Sequence, residues 1–156
     1  MHGFAFLQGD EKIMDIGVEV KWQESLSVGY ATIDGHHKKL VRIVEELRGM
    51  LDLPEIQYRL KIGKMLKQLS DYTVYHFGEE ERVMKKYEYP LASEHAAIHA
   101  SFVEKLKSAL PLIAKGDRTV AIEMYGFLSD WLIEHIAVDD HKWAEFIHKM
   151  HPDVEF

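Results

Sequence analysis

The sequence predicts an all-α protein, an up-down-up-down antiparallel four-helix bundle with an irregular N-terminal arm. Three observations carry this: apolar residues recur at helical spacing in four long blocks from Asp34 onward, short Pro or Gly punctuation separates the blocks, and no alternating strand pattern of useful length interrupts them. Short connections between long amphipathic helices make consecutive helices antiparallel neighbours. Residues 1 to about 30 show no sustained period and carry Gly3, Gly9, Gly17 and Gly29, so they read as the arm.

The first block runs from about Asp34 to Leu51, with Leu40, Val41, Val44, Leu47 and Leu51 on one side, and stops at Asp52-Leu53-Pro54. The second, from about Glu55 to Tyr87, carries Ile62, Met65, Leu66, Leu69, Tyr72, Thr73, Val83, Met84 and Tyr87 and ends at Tyr89-Pro90. The third begins near Leu91, carries Ile98, Phe102, Val103, Leu106 and Leu110, and is kinked or closed by Pro111. Lys115-Gly116-Asp117 then supplies a C-cap and turn. The fourth, from about Arg118, carries Val120, Met124, Phe127, Leu128, Trp131, Leu132 and Val138. The expected organisation is a partly irregular N-terminal extension over 1–20, one four-helix domain over 21–150 and a short tail over 151–156.

Of 156 residues, 47% are hydrophobic, enough for one core. A net charge of −7 supplies no basic surface for nucleic acid or an anionic membrane. No apolar run approaches the roughly 18 residues of a membrane span, and the first ten residues lack the basic and apolar regions of a secretory leader. The expected setting is the cytoplasm. With no cysteine, thiolate zinc sites, iron–sulfur clusters and cysteine nucleophiles are excluded, so any metal must be held by nitrogen and oxygen. Ten histidines are the compositional oddity.

At about 100° per residue, few ionisable side chains fall inside the apolar stripes. On the second helix His76 and Glu80 lie within about 20° of the stripe's centre, Glu79 lies toward its edge, and Glu81 points away. On the third, His95 and His99 sit among Val103, Leu106 and Leu110. On the fourth, His135 lies between Trp131 and Val138. His36 and His37 occupy opposite flanks of the first stripe, and the wheel does not choose between them. A single buried imidazole is ordinary core material. Inward imidazoles from four helices with an inward carboxylate are not: each must be satisfied or the core loses several kcal/mol, and a metal satisfies all of them together. Such donors suit iron, manganese, zinc or copper, and more than four of them exceed a tetrahedral zinc site, so two metals bridged by carboxylates is the natural arrangement. A ferritin-like site would need two Glu-x-x-His pairs, and the chain has one, Glu145/His148.

The motifs Ser-Val-Gly-Tyr-Ala-Thr-Ile-Asp-Gly-His-His-Lys-Lys-Leu (27–40), His-Phe-Gly-Glu-Glu-Glu-Arg-Val-Met (76–84), Tyr-Pro-Leu-Ala-Ser-Glu-His-Ala-Ala-Ile-His-Ala-Ser-Phe (89–102) and Trp-Leu-Ile-Glu-His-Ile-Ala-Val-Asp-Asp (131–140) together resemble the hemerythrins, most closely the single-domain bacterial kind. The resemblance spans residues 20–150. The ordered set His, His-x-x-x-Glu, His-x-x-x-His, His-x-x-x-x-Asp carries its specificity. It implies that His37, directly before Lys-x-Leu, is the ligand on the first helix, while His36 stands where Gln is usual. It further implies two iron ions with an oxo or hydroxo bridge, one held by His95, His99 and His135, the other by His37 and His76, with Glu80 and Asp140 bridging. The second iron then has an open position, where dioxygen binds. Asp140 follows from the family spacing alone, because five residues from His135 is about 140° around a regular helix and Asp139 is better placed on the wheel. Choosing Asp140 therefore predicts an overwound, bulged or broken helix between the two.

The function this implies is reversible dioxygen binding at a non-haem di-iron centre, for storage, delivery or sensing. The alternative is a di-iron enzyme that decomposes peroxide or reduces nitric oxide. Reversible binding needs an apolar pocket free of acids. Trp131 and Leu132 are its expected lining, with Ile98 and Phe102 as further candidates. His2, His36, His141, His148 and His151 are expected to be exposed or to lie behind the ligands.

Overall fold

The computed structural model describes residues 19–156 in full and, before them, only the backbone of two strands, β1 (Gly3–Phe6) and β2 (Ile13–Gly17). Four helices follow: α1 (Ala31–Leu51), α2 (Glu55–Lys86), α3 (Ala92–Ala114) and α4 (Arg118–Glu134). The last continues through a π-helical segment, His135–Asp140, into α5 (His141–Met150). α1 packs on α2 and α4, and α3 on α2 and α4, which closes the bundle. The four-helix prediction holds. No helix among the described residues is long and apolar enough to cross a membrane.

The arm differs from the sequence expectation. β1 and β2 pair antiparallel, with Phe4 opposite Asp15 and Phe6 opposite Ile13, so the arm is not wholly irregular. Neither Gly-Phe-Ala-Phe nor Ile-Met-Asp-Ile-Gly alternates apolar with polar residues, so an alternation argument does not detect them. His2 lies outside the described residues. Pro111 does not close α3, which runs on to Ala114. Helix α3 stops at Gly116, whose φ of +98° suits a residue without a Cβ. Helix α4 then starts on Asp117, whose carboxylate accepts from the Val120 amide at 3.1 Å.

The core divides in two. The larger cluster fills the middle of the bundle with Leu40, Val44, Leu69, Phe77, Phe102, Leu128 and Leu132 among its members. The smaller closes one end with Val28, Tyr30, Ile33, Val83, Met84, Trp143 and Ile147. On three helices predicted polar positions mark the join of the two: His37 between Ile33 and Leu40, Glu80 between Phe77 and Val83, Asp140 between Ile136 and Trp143. The bundle therefore holds one polar layer between two apolar ones.

Candidate metal centre

Seven side chains make up that layer, and all are between 0% and 4% exposed: His37, His76, Glu80, His95, His99, His135 and Asp140. Their donor atoms form two overlapping groups. Glu80, His95, His99, His135 and Asp140 bring one atom each within 4.8 Å of one another, and so do His37, His76, Glu80 and Asp140. Only the two carboxylates belong to both.

The carboxylates divide their oxygens between the groups. Glu80 Oε1 faces His37 Nε2 at 2.9 Å and His76 Nε2 at 2.8 Å, while Oε2 faces His95 Nε2 at 3.4 Å and His99 Nε2 at 3.3 Å. Asp140 Oδ2 faces His37 Nε2 at 3.1 Å, and Oδ1 faces His95 and His135 Nε2 at 3.2 Å each. Five imidazoles thus present Nε2 to a shared centre.

Three of those rings are held from behind. His99 Nδ1 donates to Glu81 Oε1 at 2.9 Å and His135 Nδ1 donates to Asp139 Oδ2 at 3.1 Å. His76 Nδ1 lies 3.3 Å from His36 Nδ1. A donating Nδ1–H leaves the Nε2 lone pair pointing inward, the tautomer a metal ligand needs. His99 and His135 then set their Nε2 atoms 3.0 Å apart, where two neutral rings would face lone pair to lone pair, so a proton or a metal cation is called for between them. His37 Nδ1 is buried with no hydrogen-bond partner among the described residues, and Asp140 Oδ2 is buried with the His37 Nε2 contact at 3.1 Å. The donor set fits metal and fits solvent-free protein poorly.

The electrostatics agree. Burial lowers His37, but the hydrogen bonds and charges of Asp140 and Glu80 overcome it and lift it to about 10; the same opposition lifts His95 to about 9. Burial raises Glu80, yet the charge of His76 and hydrogen bonds from His37, His76 and His95 hold it well below its ordinary value. Asp140 is likewise lowered, against burial and the neighbouring Glu80 charge. Protons on imidazole do the neutralising that cations do when bound.

The π-helical segment accounts for Asp140. Its i→i+5 bonding brings the fifth residue back near the face of the first, where a regular α-helix would leave it about 140° away. Asp139, favoured by the regular wheel, instead holds the outer edge of His135. On the first helix His37 is fully buried in the layer and His36 stands behind His76.

One turn into the bundle from the layer lies a cavity of about 10 Å³, lined among others by Leu69, Thr73, Phe77, Phe102, Trp131 and Leu132. Thr73 is its one polar residue. That volume is near the minimum that admits a single water. Phe102, Trp131 and Leu132 are thus brought together. Ile98 is not: it is 36% exposed and outside the cavity, because it faces outward between the inward His95 and His99. Trp131 stacks on His135 at 4.3 Å between centroids.

Sequence reasoning missed three contributors. Phe77 stacks on His99 at 3.8 Å with the planes 3° apart, Trp143 donates Nε1–H to Asp140 Oδ1 at 3.3 Å, and Glu81 reaches round from a half-exposed position to His99. Trp143 lies three residues past Asp140, a helical spacing that signalled it; Glu81 gave no signal, because the wheel points it outward.

A closed bundle with a buried imidazole–carboxylate layer divided into two donor groups defines a protein able to hold metal. The chain belongs to the hemerythrin family: residues 28–147 match the Hemerythrin HHE cation binding domain. It is similar to the bacteriohemerythrin of Stenotrophomonas maltophilia, 30% identical over 124 residues covering 80% of this chain and 78% of the relative. The bacteriohemerythrin of Pseudomonas aeruginosa is 31% identical over 126 residues, 81% of this chain and 80% of the relative. The myohemerythrin of Theromyzon tessulatum is 30% identical over 131 residues, 84% and 96%.

Proposed function

We propose that the protein binds dioxygen reversibly at a non-haem di-iron centre, for storage, delivery or sensing. His95, His99 and His135 would hold one iron and His37 and His76 the other, with Glu80 and Asp140 shared between the two and an oxo or hydroxo group as the further bridging ligand. The observation that carries this is the division of each carboxylate, one oxygen toward each imidazole group. Held there, two ferrous ions would supply the two electrons that dioxygen takes up on binding and returns on release.

The chain's own residues limit what else happens. Three imidazoles on one side and two on the other leave the His37/His76 side one donor short, so a metal held there would keep room for a further ligand. The neighbouring cavity carries no ionisable side chain, so its lining offers no acid to protonate and trap a bound ligand. Neutral imidazoles dominate the donor set, which favours a carrier or sensor over oxidative chemistry.

The test is to reduce the purified iron-loaded protein anaerobically, admit air, and follow a ligand-to-iron charge-transfer band. The band should appear and then vanish under argon, with iron near two per chain. A protein that never shows the band while turning over peroxide or nitric oxide would instead be the enzyme.

A further inference from the structure

The register of the π-helical segment decides which aspartate faces the layer, and a side chain outside both donor groups is bonded into that segment. In a regular α-helix the Ile136 carbonyl accepts from the amide four residues on, which is Asp140; the i→i+5 pattern gives that pairing up. His141 Nδ1 stands 2.6 Å from the Ile136 carbonyl oxygen. A carbonyl has no proton to give, so Nδ1–H is the donor and the tautomer of His141 is set by geometry. The i→i+5 amide is that of His141 itself, which is directed at the Val138 carbonyl, so the imidazole satisfies the Ile136 carbonyl in a half-buried position where water reaches it poorly.

Adjacent residues differ by about 100° around a regular helix, so restoring the α register turns Asp140 away from the layer and Asp139 toward it. The segment therefore has two arrangements, distinguished by which partner the Ile136 carbonyl takes.

We propose that His141 is a positioning residue: by donating to the Ile136 carbonyl it holds the π register and keeps Asp140, rather than Asp139, turned to the donor groups. The metal readout of its test rests on the di-iron reading above; the register readout does not.

The experiment compares wild type, His141→Ala and His141→Asn as full chains. Asn carries an amide N–H close to the position of Nδ1 and replaces the bond without the ring. In ferrous-loaded protein, His141→Ala should release iron to a chelator about 10- to 100-fold faster, the range for losing a group that orients a ligand, and His141→Asn should restore the wild-type rate. Equal rates in all three, or equal acceleration in both variants, overturns the proposal. Adding Asp139→Asn should cost His141→Ala more than it costs wild type, because Asp139 has turned inward; strict additivity overturns it. Independently of iron, imidazole ¹⁵N shifts of the metal-free chain should place the His141 proton on Nδ1. A proton on Nε2 refutes the proposal whether or not His141→Ala folds. Wild type that binds no iron yet shows the Nδ1 proton sinks the di-iron reading and leaves the register argument standing.

Discussion

Exchanging the two neighbouring aspartates for asparagine separates their roles. Asp140 puts its oxygens 3.1 to 3.2 Å from the Nε2 atoms of His37, His95 and His135, and is fully buried. Asp139 touches one imidazole, at the outer Nδ1 of His135, and its side chain is 26% exposed. Asp139→Asn keeps an oxygen acceptor but loses the charge that orients the ring, which costs metal affinity about 10- to 100-fold, or about 1.4–2.8 kcal/mol. Two irons per chain should still bind. Asp140→Asn removes a charge shared by both donor groups and turns an amide N–H₂ toward imidazole lone pairs. Its loss should exceed about 100-fold and leave fewer than two irons at saturation. The assay is an anaerobic ferrous titration against a competing chromogenic chelator, with circular dichroism to confirm folding. If Asp139→Asn empties the site while Asp140→Asn still binds two irons, the fourth helix is in the regular register and the assignment of Asp140 is refuted.

Three further outcomes follow from other parts of the structure. Phe77→Ala should destabilise by about 3–5 kcal/mol in denaturant unfolding. Because Phe77 alone among the described residues lines both the buried cavity and the open groove between α2 and α3, the variant should also speed dioxygen exchange in both directions; unchanged stopped-flow rates count against that. Arg118 donates to the Leu53 carbonyl at 2.8 Å and stacks 4.2 Å above Tyr58, so Arg118→Ala should cost about 1–3 kcal/mol, read from the denaturation midpoint. In the metal-free chain, where Asp140 and Glu80 hold His37 at about 10 and His95 at about 9 against burial, the protons they bind stabilise the fold fully below about pH 6.5. That stability is lost as pH rises through 9–10, so the melting temperature of stripped protein should fall over the interval, and a flat profile contradicts it.

The positions legible in the sequence were those on regular helix. A 3.6-residue period placed His76, Glu80, His95, His99 and His135 in the apolar stripes, and all five are buried in one layer. Periodicity failed where the backbone left that period. It favoured Asp139 over Asp140 because nothing in His-Ile-Ala-Val-Asp-Asp announces an i→i+5 turn, and only the family spacing pointed to the aspartate that faces the layer. It left His36 and His37 equal because one angle describes a helix and not its neighbours: α2 settles the matter by bringing Glu80 to His37 and the outer edge of His76 to His36. Ile98 was misplaced for a related reason, since sharing a helix with two inward histidines at i−3 and i+1 turns it outward.

The π-helical segment also answers a constraint that the apolar layers impose. His135 must face the layer and so must the last carboxylate, but Leu132 one turn earlier belongs to the middle cluster and Trp143 to the end cluster. A regular helix carries a face past the layer in about 5.4 Å, one turn, so two donors on one helix belong at i and i+4, as His76/Glu80 and His95/His99 are. The fourth helix instead spaces its donors by five and absorbs the extra residue within the layer itself. The pay-off is chemical: position 139, released from the inward role, becomes the carboxylate behind His135, so consecutive aspartates serve the inner and outer edges of one site. A helix with Asp at 139 turned inward would have no neighbouring carboxylate to fix the His135 tautomer. The irregular segment is therefore the feature that lets one helix supply an inward imidazole, its orienting partner and a carboxylate shared by both donor groups within six residues.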